Sequence, residues 1–335
     1  MSAPLDTSTW RAVVAYELAL RALRRSRKRL RVVDLFAGAG GASWGATLAG
    51  LDVVGAINHD AAMLEAHARA MPWTSHVCED LERLNVMAIP KHDVLLCSTE
   101  CTGHTRARGK ERKHHDASRA TAWCPVRVAD YHRPLAAIAE NVVDLLKWEM
   151  LPAWRLAWKC LGYREQVVIL NSADFGVPQA RERVFFVFTD ERRVKRAPDL
   201  STPPKLPHVP VRSVLDLDTS HGAWHPWAGL VPDTTARIRA EIARGNTTGM
   251  VAYHGSEKAG RSLDKPCGTL DRNDRYRVFV GGVSRLLRVS EMLAIGGFPP
   301  DYPVPGTHKG ATKAIGASVV PACEQWLCER VTEVL

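Results

Sequence analysis

The sequence predicts an α/β protein with a doubly wound, Rossmann-like and mostly parallel sheet, into which a small second domain is inserted. Three observations predict this fold. Short β-rich runs alternate with helical stretches from Arg31 to about residue 190, as in parallel sheets covered by helices on both faces. A glycine-rich turn directly follows the first run, as in sheets that bind nucleotides. Near Leu200 prolines interrupt the pattern, and apolar helical spacing returns after residue 285.

The alternating region supplies the elements of the sheet in order. The runs expected to form buried strands are RVVDLF, GLDVVGAI, HDVLLC, LAAIAENV, REQVVIL and RVFFVF. Each is short, apolar and rich in β-branched or aromatic residues, which favours a strand. The intervening segments GASWGATLAGL, AAMLEAHARAM and LLKWEMLPAWRLAWKCL have helical spacing. Because strands and helices alternate, we expect a parallel sheet with helices on both faces.

Three further regions complete the predicted organisation. Residues 1–30 are expected to form a basic N-terminal helix, which begins near Thr7 and carries most of a cluster of arginines and lysines. Residues 31–195 and 286–335 form the main domain. The proline-rich run APDLSTPPKLPHVPV is typical of a domain edge. Residues 200–285, with a helix that ends at Gly245 and several short strands, form the inserted domain.

Composition excludes several classes of protein. The 335 residues are 46% hydrophobic and carry a net charge of +9, which suits a packed protein with a polyanionic partner such as nucleic acid, although an ordinary solvated surface is the alternative. The eight cysteines contain no CxxC pair, so we expect a reducing compartment without disulfides. No apolar run is long enough to cross a bilayer. We therefore expect a cytoplasmic protein, in a bacterial or phage-infected cell, without membrane contact.

The glycine-rich turn VVDLFAGAGGAS places Gly38, Gly40 and Gly41 after the first strand. The absent side chains would let a nucleotide-like ligand approach the backbone. A nicotinamide dinucleotide is disfavoured, because Ser43 stands where that fingerprint requires glycine and no acidic residue ends the second strand before Asp60. A purely structural tight turn is the other alternative.

Four motifs in order, DLFAGAGG, ECT after a strand, ENV and QARER, resemble those of DNA cytosine-5 methyltransferases. The resemblance covers residues 31 to about 190 and about 285 to 330. It implies that S-adenosylmethionine lies against the first glycine-rich turn, that a cysteine attacks the base, and that the glutamate and the arginines form the rest of the site. The fold and the doubly wound sheet agree with that family.

The resemblance carries cofactor contacts to particular positions. Asp34 to Gly41 would hold the methionine end of S-adenosylmethionine, with Phe36 against the sulfonium. Asn58 stands where the family usually has an acid for the ribose, and His59 where a side chain stacks on adenine. Asp80 would meet the adenine. Ala317, in AIGASVVP, replaces the usual asparagine near the donor site.

The catalytic residues implied by the resemblance are Cys101, Glu140, Arg181 and Arg183. C5 of cytosine is a poor nucleophile, and addition of a thiolate to C6 activates it toward a sulfonium methyl. Glu140 would hold or protonate N3 as Cys101 adds. Arg181 and Arg183 would brace the site, and Asn141 would fix the neighbouring loop. Taken singly, a cysteine after a strand is usually a small core residue, and the arginines would be surface ion pairs.

Two departures from the family pattern motivate hypotheses. Glu100 precedes Cys101 in a Ser-x-acid-Cys form, resembling phage and bacterial branches of the family, where proline is usual. A carboxylate there disfavours the thiolate unless a cation such as Arg181 or Arg183 pairs with it. The small Ala317 leaves open a bulkier or carboxylated analogue of S-adenosylmethionine as donor, met by Lys309 or Lys313.

The expected partner is double-stranded DNA, and the protein is expected to act as a monomer. The target base must leave the helix, and the basic loop after Cys101 would close over it. Residues 200–285 would read flanking bases, with HGSEKAGR and DRNDRYR as candidate readers. The alternatives are an RNA cytosine methyltransferase, a catalytically inactive relative and a nicotinamide oxidoreductase. Cys97, Cys101, His104 and Cys124 are the alternative of a zinc site, but their spacing matches no compact pattern, so no metal is expected.

Overall fold

The computed structural model describes residue 14 and residues 29–100, 119–252, 260–273 and 276–335. Most of the predicted N-terminal helix, Cys101, His104 and the basic loop after them lie outside these residues. So do most of HGSEKAGR and part of DRNDRYR.

A large sheet with helices on both faces forms most of the described chain, which confirms the predicted α/β class. Its elements follow in chain order: β1 (Arg31–Leu35), α1 (Gly41–Leu48), β2 (Asp52–Asn58), α2 (Ala61–Ala70), β3 (Ser75–Cys78), β4 (Val94–Cys97), α3 (Cys124–His132), β5 (Ala136–Asn141), α4 (Leu151–Cys160), β6 (Tyr163–Asn171) and β7 (Glu182–Asp190). The strand order is β3-β2-β1-β4-β5-β7-β6. The five strands from β1 to β5 run parallel, so β1, β2, β4 and β5 end at one edge of the sheet.

The strand β7 is an exception within the mostly parallel sheet that the sequence predicted. It runs antiparallel to both β5 and β6. Only residues 172–181 join β6 to β7, and a crossover that returns a strand to the parallel direction needs about a dozen residues or more. The connection therefore turns back as a hairpin.

The strand β6 is also less buried than its apolar sequence predicted. It lies at the edge of the sheet, and Val167 and Ile169 are 41% and 48% exposed. Two further differences concern local structure. The strand β3, with the sequence SHVC, was not predicted. The predicted helix LLKWEMLPAWRLAWKCL divides into a short 3-10 turn, Val143–Lys147, and α4, whose first turn contains Pro152.

A second, antiparallel sheet follows the proline-rich run. It contains β8 (His225–Pro226), β9 (Thr248–Ala252), β10 (Tyr276–Val280) and β11 (Val283–Leu286), in the order β8-β11-β10-β9, with α5 (Pro232–Ala243) beside it. As predicted, α5 gives way to a left-handed glycine, Gly245, with φ of +90°. The proposed boundary after residue 285 falls inside β11, and the division into domains stays a prediction.

The last elements are α6 (Val289–Ile295), α7 (His308–Ala317) and α8 (Pro321–Thr332). Val320, Leu327 and Val331 around α8 pack with the strands on one face of the large sheet. Trp154 and Trp158 of α4 pack on the other face. A third cluster joins the small sheet to α1 and α6. Among the described residues, no helix is both long and apolar enough to span a membrane.

Candidate active site

A cleft of about 950 Å³ opens where β1, β2, β4 and β5 end. Parallel sheets bind ligands at this edge, because the loops that leave the strands diverge there. The structure brings most of the predicted site residues to this cleft. Those that line it are Asp34, Phe36, Gly38, Gly41, Asn58, His59, Glu140, Arg181, Arg183 and Ala317. Asp80 and Gly40 do not line it; Asp80 is exposed and accepts a hydrogen bond from the Glu82 N–H at 3.0 Å.

The absence of a side chain has a different physical reason at each of the three glycines in the first turn. A Cβ on Gly38 would meet no described atom closer than 3.9 Å, so this glycine leaves space toward the cleft. A Cβ on Gly40 would lie 2.8 Å from the Tyr302 hydroxyl, and one on Gly41 would lie 2.2 Å from the Val319 carbonyl oxygen. Gly38 therefore fits the predicted approach of a ligand, whereas Gly40 and Gly41 allow close packing within the protein. Phe36, with φ of +60°, turns the chain between them and β1.

Asp34 is fully buried near the end of β1. Its Oδ2 accepts a hydrogen bond from Ser43 Oγ at 2.6 Å, and its Oδ1 has no hydrogen-bond partner among the described residues. Burial raises the pKa of Asp34 to about 7, and the Ser43 hydrogen bond opposes this shift. A buried carboxylate oxygen that lines a cleft without a partner suits a cationic ligand.

The end of β2 supplies a second group of polar residues. Asn58 is buried and His59 is exposed, although both line the cleft. Asp60 caps α2 through the N–H groups of Ala62 and Met63 and accepts a hydrogen bond from Lys313 Nζ at 2.6 Å. That hydrogen bond holds the pKa of Asp60 below its usual range.

The lysines considered for a carboxylated donor differ in position. Lys313 lines the cleft but pairs with Asp60, whereas Lys309 is exposed and does not line it. Ala317 does line the cleft. The hypothesis of a bulkier donor stays a hypothesis, and the pairing of Lys313 gives it no support.

The loop after β4 enters the cleft immediately before Cys101. Ser98, Thr99 and Glu100 line the cleft. Asn141 donates through Nδ2 to the Thr99 carbonyl and hydroxyl oxygens at 3.2 and 3.1 Å, so this asparagine does hold the loop, as expected. The Glu100 N–H lies 3.3 Å from Thr121 Oγ1. The chain is therefore tethered on both sides up to the residue before Cys101.

Glu140 and Arg183 form an ion pair within the cleft. Glu140 Oε1 lies 3.0 Å from Arg183 Nε, and both side chains are largely buried. Glu140 of β5 stands opposite Phe185 of β7, so Arg183, two residues earlier, is its diagonal neighbour on the same face. Arg183 thus pairs with Glu140 and not with Glu100, for which the sequence offered Arg181 or Arg183 as a partner.

Arg181 has a different environment, because it lies before β7 begins. Its guanidinium donates to the Leu270 carbonyl at 2.8 Å and to the Ser318 carbonyl at 3.1 Å. It therefore ties the loop after residue 267 to the end of α7. The two arginines line the same cleft with different contacts, since Arg183 pairs with Glu140 whereas Arg181 holds two backbone carbonyls.

The small-sheet region contributes one wall that the sequence did not predict in this place. Residues 269–273 line the cleft beside α7. The approach is close, because a Cβ on Gly316 would lie 1.9 Å from the Asp271 carbonyl oxygen. The small residues of AIGAS are the one sequence feature that could have indicated a close contact, and they do not identify residues 269–273 as its partner.

A polar cluster behind the turn was not predicted from the sequence. Ser43 was notable there only as a mismatch to a dinucleotide fingerprint, yet its hydroxyl lies between Asp34 and His67. Tyr302 donates its hydroxyl hydrogen to the Ala39 carbonyl at 2.9 Å. No local spacing connects these residues, since they come from separate helices and loops.

The described residues contain no group of three or more His, Cys, Asp or Glu side chains arranged to hold a metal. Cys97 is buried in β4 and lies 3.4 Å from the Ile138 carbonyl oxygen. Burial raises the pKa of Cys124 to about 11. Burial also raises the pKa of Cys97, so both thiols are protonated near neutral pH in this structure.

Comparison with known proteins gives a consistent picture. Residues 30–333 match the family model described as C-5 cytosine-specific DNA methylase. The chain is 26% identical over 304 residues to Type II methyltransferase M.NgoBI of Neisseria gonorrhoeae, covering 88% of this chain and 90% of that one. It is 27% identical over 187 residues to Type II methyltransferase M.DdeI of Desulfomicrobium norvegicum, of which it spans only 45%.

Solved structures resemble the whole architecture. A crystal structure described as a DNA modification methyltransferase encoded within a prophage (E. coli) superposes with a TM-score of 0.68. The similarity covers 91% of this chain and 99% of that one at 20% sequence identity, which shows a shared fold. Since the family model spans nearly the entire chain, this protein belongs to the C-5 cytosine-specific DNA methylase family.

Proposed function

We propose that this chain is a DNA (cytosine-5-)-methyltransferase. It transfers a methyl group from S-adenosylmethionine to C5 of a cytosine flipped out of duplex DNA, through a transient bond between Cys101 Sγ and C6. The observation that carries the proposal is the Glu140–Arg183 ion pair, with its 3.0 Å contact, in the same cleft as Asp34 and the loop that leads to Cys101.

The cleft has features that fit S-adenosylmethionine. Asp34 presents a buried oxygen that lacks a partner among the described residues, and Gly38 leaves open space. When bound, the cofactor supplies a methyl group on a positively charged sulfur. Phe36 would lie against that group, and Asn58 and His59 would meet the ribose and the adenine. Asp80 was also expected at the adenine, but its exposed position outside the cleft gives that role no support.

The chain's own residues account for activation of the base. Cys101 adds to C6, which moves electron density toward C5 and makes that carbon nucleophilic. Glu140 holds N3 and stabilises the charge that develops there. Arg183 fixes the Glu140 carboxylate through a contact that a longer or shorter side chain would not reproduce. After methyl transfer, loss of the C5 proton allows the thiol to leave.

The substrate proposal rests on charge and on the inserted region. A net charge of +9 favours a polyanion. Residues 200–285 would read the bases that flank the target, and residues 269–273 connect this region to the cleft. A monomer acting in the cytoplasm is the simplest form consistent with this proposal.

The test is incubation of plasmid DNA with labelled S-adenosylmethionine, followed by bisulfite mapping and mass analysis. We expect one methyl group on C5 of cytosines in a short recurrent sequence. A Cys101→Ser variant should be inactive, and DNA containing 5-fluorocytosine should form a covalent complex with the parent chain only. Absence of that complex would indicate an inactive relative, transfer to tRNA alone an RNA enzyme, and a mass gain larger than one methyl group a modified donor.

A further inference from the structure

A continuous chain of side-chain hydrogen bonds leads away from the cofactor cleft through the protein. Asp34 Oδ2 lies 2.6 Å from Ser43 Oγ. Ser43 Oγ lies 3.0 Å from His67 Nε2, and His67 Nδ1 lies 2.9 Å from His76 Nε2. The chain thus connects β1, α1, α2 and β3, and its last member belongs to the outermost strand of the sheet.

Burial separates most of this chain of hydrogen bonds from solvent. Asp34, Ser43 and His67 have no solvent exposure, whereas His76 is half-buried. The two imidazoles meet edge to face, with ring centroids 4.9 Å apart. Loss of one partner would leave a buried polar group without its hydrogen bond, which is costly, so each link depends on the next. The inner end opens into the cleft and the outer end reaches the surface.

Among the members of the chain, Asp34 is the one whose pKa lies near neutral pH. Its titratable neighbours on packed elements are Cys97 in β4, Tyr302, and Glu324 and Cys328 in α8, and burial raises the pKa of each above its ordinary value. Cys97, Tyr302 and Cys328 are therefore uncharged at neutral pH, and burial shifts Glu324 toward its neutral form.

The histidines of the chain are also neutral. Burial and the neighbouring His76 lower the pKa of His67 to about 3, and burial lowers the pKa of His76. Asp34 has a pKa of about 7, because burial disfavours its charge while Ser43 stabilises it. A neutral chain thus leads to one carboxyl group that is poised between its two states.

We propose that Ser43, His67 and His76 are positioning residues that hold the Asp34 carboxylate for a cationic group of the bound cofactor, so that binding of that group is coupled to release of the Asp34 proton. This inference rests on the proposed function, in which S-adenosylmethionine occupies the cleft. It assigns a role to three residues that contact neither substrate nor cofactor.

The proton balance along the chain closes. Protonated Asp34 donates to Ser43 Oγ, Ser43 donates to His67 Nε2, and His67 Nδ1–H donates to His76 Nε2. On transfer each member passes one proton outward, and half-buried His76 releases to solvent the proton of its other ring nitrogen, which donates to the Thr74 backbone before transfer. Afterwards His76 Nε2–H donates to His67, His67 Nε2–H to Ser43, and Ser43 to the Asp34 carboxylate. One proton has left and one negative charge remains at the cleft.

The inference predicts proton release on cofactor binding. Calorimetric titration with S-adenosylmethionine in buffers of different ionisation enthalpy measures the protons released. Because Asp34 has a pKa of about 7, we expect the wild-type chain to release about half a proton at pH 7. In Ser43→Ala the hydrogen bond that favours the carboxylate is lost, so the pKa rises further. For a rise of about one unit the release approaches one proton and the affinity at pH 7 falls about fivefold.

Matched variants separate this role from a structural one. Thr47→Val removes a buried hydroxyl from the same helix, where Thr47 Oγ1 bonds the Ser43 carbonyl and not the chain, and we expect wild-type proton release. His67→Leu leaves the Ser43–Asp34 hydrogen bond but removes the group that orients Ser43, so it should shift proton release in the same direction as Ser43→Ala and by less. His67→Gln restores an N–H donor for Ser43 and should recover most of the affinity. The amino group of the ligand itself titrates in every sample, so comparison between variants removes its contribution.

The outcomes distinguish the two proposals. Failure of the wild-type chain to bind S-adenosylmethionine would contradict the proposed function itself. Binding by the wild-type chain with the same proton release and pH profile in Ser43→Ala, His67→Leu and Thr47→Val would overturn only the role of the chain. A raised pH midpoint in the first two variants, with recovery in His67→Gln, supports it.

Discussion

Single residues set the chemistry of the cleft through their immediate neighbours. Glu140 lies against a guanidinium at 3.0 Å, whereas Asp34 lies against a hydroxyl in a fully buried site. The two carboxyl groups therefore respond differently to substitution. Removal of a cation from a buried carboxylate leaves an uncompensated charge, whereas removal of a buried carboxyl group relieves a desolvation cost.

Substitution of Arg183 by Met should impair both activity and stability. It leaves Glu140 without its cation, so we expect methyl transfer to fall roughly a hundredfold and the free energy of unfolding to fall by about 3 kcal/mol or more. Arg155→Met is the matched control, because Arg155 pairs with Glu165 at the surface; we expect a loss of about 1 kcal/mol or less. Initial rates measure methyl transfer, and urea denaturation measures the free energy of unfolding of each variant. Parent-like rates in Arg183→Met would contradict the proposed role of the pair.

Substitution of Asp34 by Asn should stabilise the fold as it weakens cofactor binding. The folded pKa of Asp34 is raised from 3.8 to about 7, so the folded state retains a proton that the unfolded chain releases. Stability from this group is complete below about pH 4 and is lost as pH rises toward 7. We expect the advantage of Asp34→Asn in free energy of unfolding to grow by roughly 2 to 3 kcal/mol between about pH 5 and 8.

Two comparisons check the sign of this effect. His67 acts oppositely, because its folded pKa lies below the unfolded value, so its stabilisation is lost as pH falls below about 6.5. Asp60→Asn is the control, since Lys313 lowers the pKa of Asp60 and its contribution is constant above about pH 5. Denaturant titrations at several pH values measure the difference, and a difference for Asp34→Asn that declined with pH would refute this account of its burial.

At the scale of elements, the helices that frame the cleft are positioned by close backbone contacts. Gly41 and Gly45 lie one turn apart on α1, and the start of α8 and the residues before it pack against that face. This contact places Ser318 and Val319, which line the cleft, beside the glycine-rich turn. The glycines of this helix therefore serve the position of α8 more than the local turn.

Gly45→Ala should destabilise the protein although alanine favours helix. The substitution ordinarily gains about 0.5 to 1 kcal/mol in a helix interior. Here the new Cβ would lie 2.6 Å from the Pro321 carbonyl oxygen and 2.7 Å from Glu324 Cβ, so we expect a net loss of about 1 to 3 kcal/mol. Gly229→Ala, where no described atom lies within 4 Å, should be nearly neutral. Thermal denaturation of both variants tests the contrast, and equal melting temperatures would count against the close contact.

Sequence patterns predicted element type better than element direction. All six predicted runs of the first region form strands, because short β-branched apolar segments have few alternatives in a buried layer. Their patterns carry no information about polarity, so the reversal of β7 was missed. Exposure of Val167 and Ile169 was missed for a related reason, since an edge strand and a central strand can share one composition.

At the scale of the whole molecule, the two sheets are joined by packing and the chain carries a positive net charge. The small sheet shares an apolar cluster with α1 and α6, and its neighbouring loop lines the cleft. A region that reads DNA would therefore be coupled physically to the site of chemistry. The net charge of +9 belongs to the molecule as a whole and acts at long range.

Binding of duplex DNA should depend steeply on salt. A protein that neutralises about six phosphates loses roughly a thousandfold in affinity between about 50 and 200 mM salt, because bound counterions are released. We expect a dependence of this order in fluorescence anisotropy with labelled duplex. Affinity for S-adenosylmethionine should change little over the same range, since Asp34 is buried from the ions that screen charge. A DNA affinity independent of salt would exclude the proposed electrostatic partner.

The sequence by itself determined the fold class, six of the seven strands of the large sheet and ten of the residues that line the cleft. Those inferences succeeded because strand ends and glycine turns are local features, and because parallel strands deliver their carboxyl ends to one edge. Only the tertiary structure decided the pairing of Glu140 with Arg183, the close approach of Gly41 to Val319, and the path from Asp34 to His76. Each joins residues from different elements, and the packing that brings them within hydrogen-bonding or van der Waals distance has no counterpart in local sequence.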